Sequence, residues 1–239
     1  MISQQTLTKL CKYDTPTICN VIELFDVRPR NTGFMDARIV AAFPEMPPLV
    51  GFAATATFRA SVPPRGDAYS SLDKQVERFT ELSGPAVVVF QDLDSPCVAA
   101  TFGEIMCTTY QAFGAVGLIT SGAGRDLDQV RKIGFSVFTN GTICSHGYSS
   151  IPQIHIPVHV GGIAIYPDDL LHADCNGVTT IPKEIAAEIA DIGDEYVAAE
   201  MLIIDAMRES PGNLKLLRER QAESKNQMAK LRARVARTR

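Results

Sequence analysis

The chain has 239 residues, of which 46% are hydrophobic and 21% charged, a balance that excludes wholesale disorder and supplies one large domain with a sizeable core. No run of about 18 apolar residues occurs, so no spanning helix is expected, and the start MISQQTLTKLCKYD lacks a secretory pattern, which makes the cytoplasm the expected location. The net charge of −4 hides an asymmetry: residues 213–239 carry nine bases against two acids, a net of +7, leaving −11 for residues 1–212.

Thr15-Pro16 predicts a helix start, with the hydroxyl as cap and proline in the first turn, and Ile18, Val21, Ile22 and Phe25 give that helix an apolar stripe. Residues 26–50 are irregular and proline-containing. GFAATATF (51–58) alternates like a strand, SVPPRGD (61–67) is a loop, and 69–82 looks helical. AVVVF (86–90) is a buried strand, and 97–101 is another strand. A helix over 103–113, a strand over 116–120, the loop SGAG and a helix over 126–133 follow, then a strand over 136–139. Short strands broken by Gly, Pro and Asn-Gly run on to about residue 182, and a long helix over 186–207 is stopped by Pro211-Gly212. The intermixed order argues an α/β layered domain over 1–212. The basic tail, 213–239, repeats Leu214, Leu217, Gln221, Ser224, Met228, Leu231 and Val235 at steps of three and four, a heptad seam suited to packing on another helix.

The six cysteines show no C-x-x-C pattern and are expected to be mostly small buried hydrophobes. The tail lacks aromatics for base stacking, so nucleic acid is an unlikely partner beside an acidic protein surface. IHIPVHV, holding His155 and His159, alternates like a strand, so these histidines are expected to be satisfied in a sheet, and His172 is likewise not promoted to a ligand. His146, in CSHGY, reaches a site only from a loop. Asp92, Asp94, Asp168, Asp169 and Asp174 suit turns.

The most informative segment is GLITSGAGRDLDQVRKIG, 117–134. A buried strand ends in a glycine loop holding Gly122 and Gly124, and a helix follows. Glycines let backbone approach a ligand, a helix start offers free N–H groups to an anion, Arg125 is a two-pronged donor for a carboxylate, and Asp126 is a hard oxygen for a cation such as Mg²⁺. Leu127 stands where a dinucleotide fingerprint needs its last glycine, and the Gly-Lys-Ser/Thr end of a P-loop is missing. The alternative is a plain glycine turn in which Asp126 caps the helix and Arg125 is solvated. Glu104 opens the preceding helix twenty residues upstream of Arg125. A helix and a returning strand fill that gap and bring Glu104 toward Arg125-Asp126.

The stretch 103–134, with its acid-x20-Arg-Asp arrangement, resembles the RraA-like family, which contains 4-hydroxy-4-methyl-2-oxoglutarate / 4-carboxy-4-hydroxy-2-oxoadipate aldolases and a regulator of ribonuclease E activity. IPVHVGGIAIYPDDLLHADCNGVTTIPKE is similar to the family's second block, and with GFAATAT and PAVVVFQD the resemblance covers roughly 15–205. It implies an α/β fold of the swivelling ββα type with C-terminal helices, assembled as a homotrimer or homohexamer. It further implies a class II pyruvate aldolase, a lyase acting on a small 2-oxo acid, with oxaloacetate decarboxylation arising from the same enolate. Asp126 would hold a divalent cation, Mg²⁺ or Mn²⁺. Arg125 would bind substrate and steady the oxyanion, Glu104 would contact water on the metal, and the backbone of Ile105 and Met106 would lie against the substrate carboxylate. Glu200 matches an acid contributed by a neighbouring subunit. The other implied role is a non-catalytic regulator that binds a protein such as a ribonuclease, with the basic tail as docking element. The chain departs from the family in carrying Glu104 where the aldolases often have Asp, in Pro167-Asp168-Asp169 for the usual Pro-Gly-Asp, which predicts an altered turn, and in a longer 26–50 segment.

Overall fold

The computed structural model describes residues 2–64 and 71–237. The sequence-predicted loop over 61–67 and the start of the helix expected from residue 69 lie partly outside them. In chain order the elements are α1 Gln4–Leu10, α2 Thr15–Phe25, β1 Val40–Ala41, β2 Leu49–Phe58, α3 Leu72–Glu77, β3 Ala86–Asp92, β4 Ala100–Phe102, α4 Glu104–Ala112, β5 Gly117–Thr120 and β6 Ala123–Gly124. Then come α5 Leu127–Lys132, β7 Ser136–Thr139, β8 Val158–Val160, β9 Ile163–Ile165, β10 Leu170–Asp174, β11 Gly177–Ile181, α6 Ala186–Glu209 and α7 Leu214–Val235.

A seven-stranded mixed sheet in the order β1-β7-β5-β3-β2-β10-β11 forms the centre. The inner strands β2, β3, β5 and β7 run parallel, while β1, β10 and β11 pair antiparallel. Parallel strands covered on both faces read as continuous apolar runs. β3 shows why: Val88 and Phe90 face the cluster under α3, α4 and α5, while Val87 and Val89 face Val158, Ile165 and Leu171 on the other side. β2 is buried along its whole length for the same reason, so its apparent alternation in sequence does not mark a solvent face.

The stripe of α2 packs as its spacing predicts: Ile18, Val21, Ile22 and Phe25 are all buried, against α6 and the β2–β10 edge. The cap lies one residue earlier than expected. Asp14, not Thr15, accepts the Thr17 N–H, at 2.8 Å. Thr15 instead turns inward to His172, its Oγ1 2.9 Å from Nδ1.

Leu10 O lies 3.2 Å from His172 Nε2, and a carbonyl only accepts, so Nε2 carries the proton and Nδ1 accepts from Thr15. Burial favours this neutral form and pushes the ring's pKa down despite nearby Asp174. The unfolded chain takes up a proton near pH 6.5 that the folded chain refuses. Stability is thus unaffected at high pH and falls as the pH drops below about 6.5. Urea midpoints of the wild type are expected to fall more steeply between pH 8 and 5 than those of His172→Gln; parallel curves would refute this.

The Pro167-Asp168-Asp169 turn keeps a backbone that glycine adopts freely, for Asp168 sits at φ +69°. Its carboxylate offsets that strain by accepting the Ser83 N–H and hydroxyl, both at 2.7 Å, and the Lys183 ammonium at 2.8 Å. Asp168→Ala keeps the strain and loses the bonds, so it should cost about 2–3 kcal/mol, whereas Asp168→Gly relieves the backbone and should cost about 1 kcal/mol less than the alanine. Urea titration of both variants checks the order; alanine matching or exceeding glycine would refute it.

The basic tail forms α7, which folds back on α6. Ser224, Leu231 and Val235 are buried and Met228 is partly so, while Leu214 at the start of the seam is exposed. Arg232, Arg234 and Arg237 pair with Asp26, Glu195 and Glu188, and the Arg237 guanidinium lies over the Phe25 ring. Part of the tail's charge is thus met by the chain's own acids. No helix among the described residues is long and apolar enough to cross a membrane.

All six cysteines are free, but the expectation that they are mostly buried fails. Cys107 alone is fully buried, with its thiol pushed up to about 12 by burial, whereas Cys144 and Cys175 are exposed.

Candidate active site

The segment read as the loop SGAG contains the short strand β6, which pairs parallel with β4. Ala100 lies opposite Ala123 and Phe102 opposite Gly124. Two parallel strands therefore end side by side, one running into Gly103-Glu104 and the other into Arg125-Asp126. A helix and a returning strand fill the interval, as the spacing predicts, but this small second sheet makes the join. Gly124 has no Cβ because one would stand 2.1 Å from Phe102 Cζ. Gly122 is buried as well, its carbonyl accepting from Asn140 N and Thr139 Oγ1. Both glycines serve backbone packing, and neither lines the adjacent cleft.

That cleft has a volume of about 260 Å³ and is lined by Phe102, Gly103, Ile105, Met106, Arg125, Asp126 and His146, among others. Asp126 adopts the left-handed conformation, φ +56°. Its carboxylate does not cap its own helix α5. Oδ2 crosses instead to the start of α4, accepting the Glu104 N–H at 3.0 Å, with Arg125 Nε 3.8 Å away. Gly103 permits this approach, for a Cβ there would meet Asp126 Oδ2 at 2.7 Å. The reading of Asp126 as the cap of its own helix is thus replaced by a tie between two helix starts.

The amides of Ile105 and Met106, at the second and third positions of α4, have no acceptor among the described residues, as expected at a helix start. Side chains of Arg125 and Asp126 are 32% and 35% exposed, and Ile105 is 79% exposed at the rim. One wall therefore carries free N–H donors and a partial positive charge, and the other a guanidinium and a carboxylate. Glu104 contributes its backbone; its side chain does not line the cleft. Glu200 sits on α6 beside Tyr196, and α6 packs on α1, α2 and α7, none of which lines the cleft.

Among the described residues no three His, Cys, Asp or Glu side chains are grouped to hold a metal. Asp126 Oδ1 makes no hydrogen bond within the described residues, so among them the cleft offers one free carboxylate oxygen. That donor set fits an ion that keeps most of its waters and takes further oxygens from a ligand, as Mg²⁺ does, and not a zinc cage.

The remaining candidates have local roles. Asp92 accepts Asp94 N, and burial pushes its carboxyl up to about 6. Asp94, Asp169 and Asp174 accept backbone N–H groups of Ala60, Tyr166 and Thr15. His159 lies in β8 with its side chain exposed. His155 departs from the strand expectation: it is left-handed, φ +56°, and its Nε2 lies 3.7 Å from Glu81. His146 gains weight, because its loop brings it to the cleft.

The fold and the cleft together define an α/β protein with an Arg-Asp pair set against a helix N-terminus at the ends of two parallel strands. The Aldolase/RraA model of the RraA-like family matches residues 15–180, and the chain belongs to that family. A Halalkalibacterium halodurans protein named "Putative 4-hydroxy-4-methyl-2-oxoglutarate aldolase" is 32% identical over 102 residues, 42% of this chain and 49% of that one. The chain spans about half or less of the first curated relatives it matches. Among solved structures, an uncharacterized protein from Pseudomonas syringae pv. tomato superposes with a TM-score of 0.72 at 21% identity, covering 92% of this chain and 94% of the other. Streptomyces coelicolor RraAS2, described as an unusual member of the RNase ES inhibitor RraA protein family, gives 0.68 at 23% identity, covering 87% of this chain and all of its own. These two likenesses establish the fold, an RraA-like α/β domain with C-terminal helices.

Proposed function

We propose that this protein is a class II, metal-dependent aldolase that cleaves a 4-hydroxy-2-oxo acid to pyruvate, and that it decarboxylates oxaloacetate through the same enolate. The observation that carries this reading is the meeting, in one small cleft, of the free Ile105 and Met106 amides, the Arg125 guanidinium and the Asp126 carboxylate. The substrate carboxylate docks on the amides at the start of α4, where the helix dipole favours an anion. This points the 2-oxo oxygen toward Arg125. Breaking C3–C4 moves its electron pair into an enolate, and the oxygen's new charge meets a guanidinium already in place. Such fixed donors act without reorganisation at the moment of reaction. Asp126 is the residue that would hold Mg²⁺ or Mn²⁺, and the ion when bound would supply Lewis-acid stabilisation of the same charge. Glu104 fixes Asp126 through its backbone N–H, so its longer side chain relative to Asp does not disturb that tie. Glu200 reaches a cleft only from a second copy, in a homotrimer or homohexamer. Loss of CO₂ from oxaloacetate leaves the same enolate, which is why one cleft serves both reactions.

The test is pyruvate release from a panel of 4-hydroxy-2-oxo acids and oxaloacetate with Mg²⁺ or Mn²⁺, with and without EDTA. Release that needs the metal supports the proposal; no release from any of them sinks it. A second reading, a regulator that docks on another protein, is favoured by Lys215, Arg218 and Lys225, exposed on α7 without an ion-pair partner among the described residues. A regulator would lose its partner when α7 is removed.

A further inference from the structure

We propose that His146 is the proton carrier of the cleft, taking the proton of the substrate's 4-hydroxyl and returning it to C3 of the enolate; this rests on the aldolase reading above. His146 lines the same cleft as Arg125 and Asp126, whereas the Glu104 side chain does not. Its Nδ1 lies 2.8 Å from the Gly147 carbonyl oxygen. A carbonyl only accepts, so in the neutral ring the proton sits on Nδ1 and Nε2 keeps its lone pair. Nε2 makes no hydrogen bond within the described residues.

The loop that carries the ring is pinned on both sides. Ala100 N donates to Ser145 O, Gly147 N to Ser145 Oγ and Tyr148 N to Ala60 O. Gly147 lies at φ +50°, and a Cβ there would meet Ala60 O at 2.8 Å, so the loop fits closely against the strand-end segment below it. A basic nitrogen is thereby held at the cleft by backbone geometry.

The step balances without a co-reactant. Nε2 accepts the hydroxyl proton as the O–H pair becomes the new C4=O. The C3–C4 pair passes into the enolate, and the imidazolium then gives its proton to C3, forming pyruvate. Oxaloacetate decarboxylation has no hydroxyl proton to remove, so its C–C cleavage does not need this group.

That difference supplies the test. Wild type, His146→Ala and His146→Asn are compared on a 4-hydroxy-2-oxo acid and on oxaloacetate, both with Mg²⁺. Asparagine keeps a donor for the Gly147 carbonyl but has no basic nitrogen. Both variants should lose about 10²-fold or more in kcat on the hydroxy acid and much less on oxaloacetate, and added imidazole should restore part of the alanine variant's rate. Equal losses on both substrates would mean a structural role and overturn the proposal, as would wild-type cleavage by His146→Asn. If wild type itself releases pyruvate from neither substrate, the aldolase reading has failed and His146 falls with it.

Discussion

Replacing Asp126 by Asn is expected to abolish metal-dependent pyruvate release while leaving the melting temperature near that of the wild type. The two consequences separate because the proposal adds a metal-holding role to the structural one that Asp126 already has. Its Oδ2 accepts the Glu104 N–H and ties α4 to α5, a bond that an asparagine oxygen also makes. The charge is what a cation needs, and Asn lacks it. Asp126→Ala removes both and should lose activity and some stability. Arg125→Ala should lower kcat by about 10²–10³-fold, the loss expected when one fixed donor to a developing oxyanion is deleted. Arg125→Lys should recover only part, because a point charge replaces a planar fork. The measurement is initial rates of pyruvate release with Mg²⁺, beside thermal melts; an Asp126→Asn protein that turns over at the wild-type rate would remove the metal from the mechanism.

Gly124→Ala is expected to damage stability and activity together. The added carbon would stand 2.1 Å from Phe102 Cζ, and Phe102 is 1% exposed, so the ring can yield only by pushing on its packed neighbours or into the adjacent cleft. Overpacking of this kind costs about 3 kcal/mol. The β4–β6 register carries Arg125 and Asp126 at its end, so the strain also moves the pair proposed to act on substrate. Stability and kcat should fall together, and Phe102→Leu combined with Gly124→Ala should regain part of both, a coupling that a double-mutant cycle measures. Additive losses, or a Gly124→Ala protein as stable as wild type, would show that the two strands are not locked at this point.

Much of this arrangement was legible in the sequence. The continuous apolar run of β3 and the i, i+3, i+4 stripe of α2 signal their elements because burial dictates composition directly. The Arg125-Asp126 pair stood out because glycines precede it and a helix follows. The failures have physical causes too. β6 is two residues of Ala-Gly, too short and too plain to show a period, and its pairing with β4 depends on a ring that sits twenty-two residues earlier. Gly122 and Gly124 read equally well as ligand-facing or as packing glycines, and only the position of Phe102 and Thr101 decides. Thr15 and Asp14 both suit a cap; the buried His172 claims the threonine. His146 could not be promoted, because a loop's path is set by hydrogen bonds to Ala60 and Ala100 that leave no trace in local pattern.

The closure of α7 over α2 has a consequence for biosynthesis. Leu231 and Val235 complete the same core that begins with Leu7, Leu10 and Ile18. As the polypeptide is translated, the apolar sides of α1 and α2 gain cover first from β2, β10 and α6, and they stay incompletely covered until α7, some two hundred residues after α2, has been made. Nascent protein stalled before residue 231 would present those sides to chaperones, and ribosome-bound intermediates of that length are where aggregation should concentrate.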